Sequence, residues 1–225
     1  LLCARSAGEL EKICEEINTG GGRAEYIKCD VTKKEEVKSA VDYAVEKFGK
    51  IDTAVLNAGM AGTNWFTDFN PGLFRQVFEV NLFGVINFME YLIPVMKKQG
   101  CGKIAAVSSL ADSRGMPGSS SYNASKSALS EILAAARTEL KRDNIKIITI
   151  RPGFVESNIT AKNEFPMPFL MSAEKAAVKI VRGIEKSKKV VSFPFPMAAA
   201  TILLKMLPVP VFDFIAGNAD YKFKE

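Results

Sequence analysis

The chain has 225 residues, a hydrophobic fraction of 48% and a net charge of +5, which suits one domain with a sizeable core but not a dedicated nucleic-acid binder, because the basic residues form no stripe. It contains no histidine. That excludes Ser-His-Asp and Cys-His nucleophile systems and histidine-based metal sites, so any general base is a tyrosine, lysine, cysteine or carboxylate.

The apolar run "LLCA" (1–4) ends at Arg5 and reads as a strand. Residues 7–17 then place Leu10, Ile13, Cys14 and Ile17 at helical spacing. After a break at "TGGGR", "AEYIKC" alternates like a strand into Asp30 and Val31. Cys3 and Cys29 end these neighbouring strands and read as small buried hydrophobes. The cysteines form no C-x-x-C pair and no disulfide framework, which predicts reduced thiols in a cytoplasmic protein. Thr32 with Glu35 reads as a capping box opening a helix to Phe48, and Gly49 stops it. "DTAVL" (52–56) is a short strand. Asn70-Pro71 reads as a cap followed by proline at the first helical position, with the helix running to Lys98. "KIAAVSS" (103–109) is a strand, Ser121 to Arg142 a helix and "IKIITI" (145–150) a strand. A proline-rich loop follows Arg151. Ser172 to Lys186 is a helix and "KKVVSF" (188–193) a last strand. This alternation predicts an α/β fold, a doubly wound parallel sheet with helices on both faces. The apolar runs "AVL", "IAAV" and "IITI" predict strands buried on both sides.

In such a sheet, ligands sit beyond the carboxyl ends of the strands. The residues predicted there are Arg5, Asp30-Val31, Asn57-Ala58-Gly59, Ser108-Ser109 and Arg151-Pro152-Gly153. Tyr122 opens the helix after the Ser109 strand, and Lys126 lies one turn further on. A second pair with the same spacing, Tyr43 and Lys47, sits mid-helix away from the rim and reads as a phenol beside a solvated lysine.

In order and spacing, "LNAG" (56–59), the Asn of "EVNLFG" (79–84), "VSS" ahead of "YNASK" (122–126) and "RPGFVES" (151–157) resemble the short-chain dehydrogenase/reductase family over nearly the whole chain. That family uses nicotinamide cofactors on a Rossmann-type sheet. The resemblance implies an oxidoreductase that interconverts a carbonyl and a secondary alcohol. Free tyrosine, with a pKa near ~10, is a poor base, and an ammonium one turn away favours the phenolate. By this resemblance Tyr122 is the acid/base, Lys126 tunes it and binds the nicotinamide ribose, and Ser109 holds the substrate oxygen. Asn81 supports a proton relay through water.

The cofactor residues implied are Asp30 toward the adenine amino group, Val31 beside the ring, and Asn57, Ala58 and Gly59 around the ribose. Pro152-Gly153 leads a turn in which the Val155 backbone and the Ser157 hydroxyl meet the carboxamide, where Thr is the family's commoner residue than Ser157. Enzymes using NAD carry Asp or Glu at the end of the relevant strand. Here Ala4 stands there and Arg5 follows, and a guanidinium matches phosphate geometry, which implies NADP(H). The resemblance also implies a homodimer or homotetramer and no metal. The rivals are an epimerase or dehydratase on the same fold, for which the sequence after "RPG" is short, and a non-catalytic nucleotide-binding or scaffold protein acting through an apolar tail.

Two departures matter. The family's glycine-rich turn is absent, and Gly20–Gly22 enters a strand rather than a helix, so it is no phosphate cradle. The sequence is therefore expected to lack its opening strand, turn and helix, which would leave two bare edges in mid-sheet. Second, residues 193–225 form an apolar, proline-cut tail on the 1–192 catalytic domain. Its longest apolar run, Met197 to Leu204, is far short of the ~20 residues that span a bilayer. The tail is expected to close over the substrate pocket, enter a subunit interface or lie on a membrane surface. Trp65, Phe154, Phe165, Met167 and Phe169 lie in loops over the rim and point to a bulky apolar substrate.

Overall fold

The computed structural model describes residues 1–163 and 165–218. Strands and helices alternate as β1 (Leu2–Ala4), α1 (Ala7–Thr19), β2 (Tyr26–Lys28), α2 (Lys34–Phe48), β3 (Thr53–Leu56), α3 (Pro71–Phe78), α4 (Gly84–Gln99), β4 (Gly102–Val107), α5 (Ser120–Glu139), β5 (Ile145–Pro152), α6 (Ala173–Glu185), β6 (Val190–Phe193), α7 (Phe195–Met206) and α8 (Val209–Gly217). Every strand pairing is parallel. Among the described residues β1 pairs only with β2, and the other four strands follow the order β3-β4-β5-β6.

Residues that alternate along a strand face opposite ways, and the two cores divide accordingly. Ile104, Ala106, Ile145 and Ile147 meet Leu92, Met96, Leu129 and Leu133 of α4 and α5. Ala105, Ile148 and Ile150 meet Ala176, Val191 and Phe193 on the other face. Thus β4 and β5 are buried on both faces, as their apolar runs require. β3 is not: Val55 is 50% exposed, because β3 has β4 alone as a partner. Cys3 is likewise exposed, whereas Cys29 is buried. Pro71–Gln99 is the single helical stretch among the described residues long and apolar enough to cross a membrane. Here its Val85, Met89, Leu92 and Met96 fill the first core.

Local chemistry sets the element ends. Asn70 caps α3 by accepting from the Leu73 N–H at 3.0 Å, with Pro71 behind it. Gly49 ends α2 at φ 77°, in the left-handed region glycine enters freely. The capping box expected of Thr32 and Glu35 does not form. Lys33 is the N-cap of α2 without a side-chain bond. Thr32 instead donates its N–H and hydroxyl to Asp30 Oδ1, and Glu36 accepts from the Asp30 N–H. The helix expected over 71–98 is interrupted by a π-helical turn at Glu79–Phe83.

The tail forms two helices rather than irregular pieces, each with proline in its first turn. α7 packs on β6 and on a 3₁₀ turn at Leu110–Asp112. Arg114 joins them: it donates to the carbonyls of Leu204 and Leu207 at the end of α7, and its guanidinium lies 4.1 Å from the Phe212 ring of α8.

Two helical glycines test the packing. A Cβ on Gly183 would lie 2.5 Å from Val191 Cγ2, where α6 meets β6, whereas a Cβ on Gly8 in α1 would meet nothing within 4 Å. Gly183→Ala is expected to destabilise by about 1–3 kcal/mol through overpacking, and Gly8→Ala to stabilise by roughly 0.5–1 kcal/mol through helix propensity. Urea unfolding that moves both midpoints the same way refutes this packing.

Candidate active site

Four side chains from three elements converge at the carboxyl end of β4. Ser109 follows the strand in extended conformation, and its Oγ accepts from the Ala111 N–H at 3.1 Å, which bends the chain into the Leu110–Asp112 turn. Tyr122 and Lys126 project from one face of α5, with Nζ 5.8 Å from the centre of the phenol ring. Lys126 Nζ donates to the Val107 carbonyl at 2.7 Å, and the residue is 3% exposed. The Ser109 hydroxyl lies close enough to the Tyr122 phenol to favour its ionised form.

Asn81 is fully buried in the π-helical turn, a distortion that often marks functional positions. Its amide donates to the Met60 carbonyl at 2.9 Å and to Ser125 Oγ at 3.0 Å, and accepts from the Met60 N–H at 2.8 Å. Asn81 Oδ1 and Lys126 Nζ both face Gly59, 3.5 and 3.6 Å from where a Cβ would stand.

Spacing does not single out this pair. Lys47 Nζ lies 5.3 Å from the Tyr43 ring, slightly closer than its counterpart. The difference is burial: the Lys47 side chain is 40% exposed. Burial also changes the expected electrostatics. Lys126 falls from its ordinary 10.5 to about 8 because its ammonium is desolvated. The Tyr122 phenol, expected from its neighbour to become more acidic, is instead raised. Burial is the largest cause and the Asp112 charge adds to it, while the Ser109 hydrogen bond opposes them. At pH 7 the pair is therefore a neutral phenol beside an ammonium.

The predicted cofactor residues fall into two groups. At one end, Val31 is held against α4: its carbonyl accepts from Asn87 Nδ2 at 2.9 Å, and Gly84 leaves space that a Cβ would take to within 2.6 Å of Val31 Cγ2. Arg5 is exposed and near enough to Asp30 to favour its carboxylate. Asp30 lies below its ordinary pKa chiefly because the Thr32 N–H bonds it, against the opposing effect of burial. Asn57, Ala58 and Gly59 lie exposed at the end of β3.

At the other end, the Gly153 N–H donates to the Phe193 carbonyl at 2.7 Å, and a Cβ on Gly153 would lie 2.9 Å from Met197 Sδ of α7. Ser157 and Val155 are tied together by Thr160. Its hydroxyl oxygen accepts from the Ser157 N–H at 2.9 Å and donates to the Val155 carbonyl at 2.7 Å. Sequence reasoning missed Thr160, although a Ser and a Thr three apart after a turn is a recognised local bonding pattern. Two surface hollows, one at Thr138–Arg142 and one between Asp52 and Lys146, lie at the opposite, amino ends of the strands and hold none of these groups.

Lys126 burdens the folded chain. Its folded pKa is lower than its unfolded one, so the unfolded chain binds more protons between pH 8 and 10.5 and stability rises across that window. The cost is fully present below pH 8 and on the order of 3 kcal/mol. Lys126→Met is expected to gain stability over the parent at pH 7 and to lose most of that gain by pH 10. Thermal melts in which the difference does not change with pH contradict the burial.

Comparison with known proteins agrees with this geometry. The short chain dehydrogenase family matches residues 1–166. An uncharacterized oxidoreductase of Myxococcus xanthus is 34% identical over 212 residues, 94% of this chain and 84% of that protein. A 7α-hydroxysteroid dehydrogenase solved with NADH and 7-oxo glycochenodeoxycholic acid superposes with a TM-score of 0.79 at 25% identity, over 85% of this chain and 81% of that one. A short chain dehydrogenase/reductase from Burkholderia phymatum, solved with NAD, superposes with a TM-score of 0.82 over 98% of this chain and 87% of its own, and at 19% identity it speaks to the fold alone. The chain belongs to the short-chain dehydrogenase/reductase family, oxidoreductases built on a Rossmann-like sheet.

Proposed function

We propose that this chain is an NADP(H)-dependent oxidoreductase that interconverts a ketone or aldehyde and its alcohol, acting on an apolar substrate. One observation carries the reading: a half-buried phenol beside the Ser109 hydroxyl, with a buried ammonium 5.8 Å from its ring centre. The residues fit a dinucleotide. Val31 and the Asp30 carboxylate suit an adenine, the exposed Arg5 suits a phosphate, and the Gly59 space between Asn81 and Lys126 suits a ribose. Bound NADPH supplies the hydride to the carbonyl carbon. The protein's share is the proton: as the C=O bond becomes an alkoxide, Tyr122 gives its proton to that oxygen while Ser109 donates a hydrogen bond to it. Lys126 is roughly nine-tenths protonated at pH 7 given a pKa of about 8. It stabilises the phenolate left behind, and Asn81 steadies the water that returns the proton.

The apolar substrate rests on what surrounds the turn after β5. Phe154 and Phe165 stack edge to face at 5.9 Å, Phe169 is 59% exposed, and Met197 seats α7 against Gly153. The tail thus forms one wall of the substrate site. A homodimer or homotetramer would cover the outer faces of α7 and α8, where Phe195, Leu203, Met206 and Phe214 are exposed. A non-catalytic scaffold has no use for a lysine buried at such cost, and the family match favours the enzyme.

With NADPH and a panel of apolar ketones and aldehydes, Tyr122→Phe is expected to lower kcat by about 10²–10⁴ and leave NADPH binding within a few-fold; an active Phe variant removes Tyr122 from the chemistry. Arg5→Ala is expected to weaken NADPH binding about tenfold, the low end of a charge-assisted bond at an exposed site, and to leave NADH unchanged. Equal losses for both cofactors count against the phosphate assignment.

A further inference from the structure

One ionic cluster touches the turn that carries Ser109 and the helix that carries Tyr122 and Lys126, yet takes no part in the chemistry assigned above. The Asp112 side chain is 4% exposed and that of Arg151 22%. Asp112 Oδ2 accepts from Arg151 Nε at 2.8 Å and from Ser130 Oγ at 2.6 Å, and Oδ1 accepts from Arg151 Nη2. Arg151 Nη2 also donates to Ser113 Oγ at 3.1 Å. The Asp112 carbonyl accepts from Ser127 Oγ at 2.7 Å. Ser108 Oγ lies 3.0 Å from the Lys126 carbonyl and 2.8 Å from Ser130 Oγ.

These bonds join three segments. Asp112 closes the turn that Ser109 begins. Arg151 precedes Pro152 and Gly153 at the end of β5. Ser127 and Ser130 lie on α5 beside Tyr122 and Lys126. A buried ion pair is seldom the most stable filling for such a place, so its presence here calls for another reason. Two charged groups act on the phenol: Lys126, whose Nζ lies 5.8 Å from the ring centre, and Asp112, through its charge. The Asp112 charge opposes ionisation of Tyr122, and the guanidinium bonded to both carboxylate oxygens offsets that charge. Arg114, in the same loop, turns to α7 and α8.

We propose that Asp112 and Arg151 are a positioning pair for the reaction: together they hold Ser109, Tyr122 and the end of β5 in register, and Arg151 keeps the carboxylate's field from the phenol. This rests on the proposed reductase reading for its kinetic part only. An unpaired Asp112 would both loosen the turn and burden the phenolate, whereas removing both charges would do only the first.

The test uses Arg151→Gln, Asp112→Asn, Arg151→Lys and the double variant D112N/R151Q. Tyr122 ionisation is read by ultraviolet difference spectra against Tyr122→Phe in each background, which needs no substrate. Arg151→Gln is expected to move that titration upward by about one pH unit, a tenfold loss of phenolate, Asp112→Asn to move it downward, and the double variant to return it near the parent. With a reducible ketone, Arg151→Gln is expected to lose roughly 10–100-fold in kcat with NADPH binding within a few-fold, and Arg151→Lys to recover part of the loss.

A Tyr122 titration that is the same in the parent and in folded Arg151→Gln overturns the proposal. So does a double variant whose shift is no smaller than that of Arg151→Gln. Should Arg151→Gln fail to fold, Asp112→Asn and the double variant decide by the same titration. A parent that reduces no carbonyl, with the titration moving as expected, would refute the reductase reading and leave the electrostatic role of the pair standing.

Discussion

The site depends on keeping an ammonium dry. Lys126 can be buried only because the Val107 carbonyl, the last of β4, receives its proton at 2.7 Å, and because α5 comes close enough to β4 for the stem to reach. The approach is possible because the helix face below it is small: Ser121 and Ser125 are fully buried. Ser125 Oγ accepts from Asn81, which in turn holds Met60 and so shapes the loop after β3. Lys126, Ser125 and Asn81 together thus tie the loop after β3, β4, the π-helical turn and α5 into one arrangement. A larger residue at 121 or 125 would push the helix off the strand and release the charge to water. The chain gives up stability to keep it, as functional sites commonly do.

Much of this was legible from sequence because it rests on local chemistry. The Val-Ile-Ala runs of β4 and β5, the Asn70-Pro71 cap and the Gly49 stop each state their structure within a few residues. So does the rim: small and polar residues at successive strand ends mark where backbone can approach a ligand. The illegible parts needed neighbours distant in the chain. Val55 reads as a buried strand residue, and its exposure follows from the strand order. Thr32 and Glu35 have the spacing of a capping box, but Asp30 takes both the N–H and the hydroxyl of Thr32, and Glu36 in turn holds the Asp30 N–H. The prolines of the tail looked like breaks. Pro208 does separate α7 from α8, while Pro196 and Pro210 sit in the first turns of those helices, where a missing N–H costs nothing.

The resemblance gave each site residue a place but not its state. Asp112 and Thr160 drew no notice, since an acid in a loop and a hydroxyl after a turn are ordinary. Only the fold shows that one closes a cluster reaching Arg151, 39 positions away, and that the other fixes both Val155 and Ser157.

The sign of the Tyr122 shift bears on what the neighbouring lysine is for. From spacing alone the ammonium should make the phenol acidic, readying a base that takes a proton from an alcohol. In the structure desolvation, with the Asp112 charge adding to it, raises the phenol instead, and it keeps its proton at neutral pH. A phenol that is protonated at neutral pH is in the right state to give its proton to an alkoxide, a far stronger base, and in the wrong state to take one from an alcohol. The favourable contact with Lys126 is then largest after the proton has left, when the phenolate is charged. An interaction stronger after transfer than before it is the kind that lowers a barrier rather than merely tightening a complex. On this argument the buried pair suits reduction of a carbonyl better than oxidation of an alcohol, and the desolvation of Lys126, a cost to the fold, is what gives that late interaction its strength.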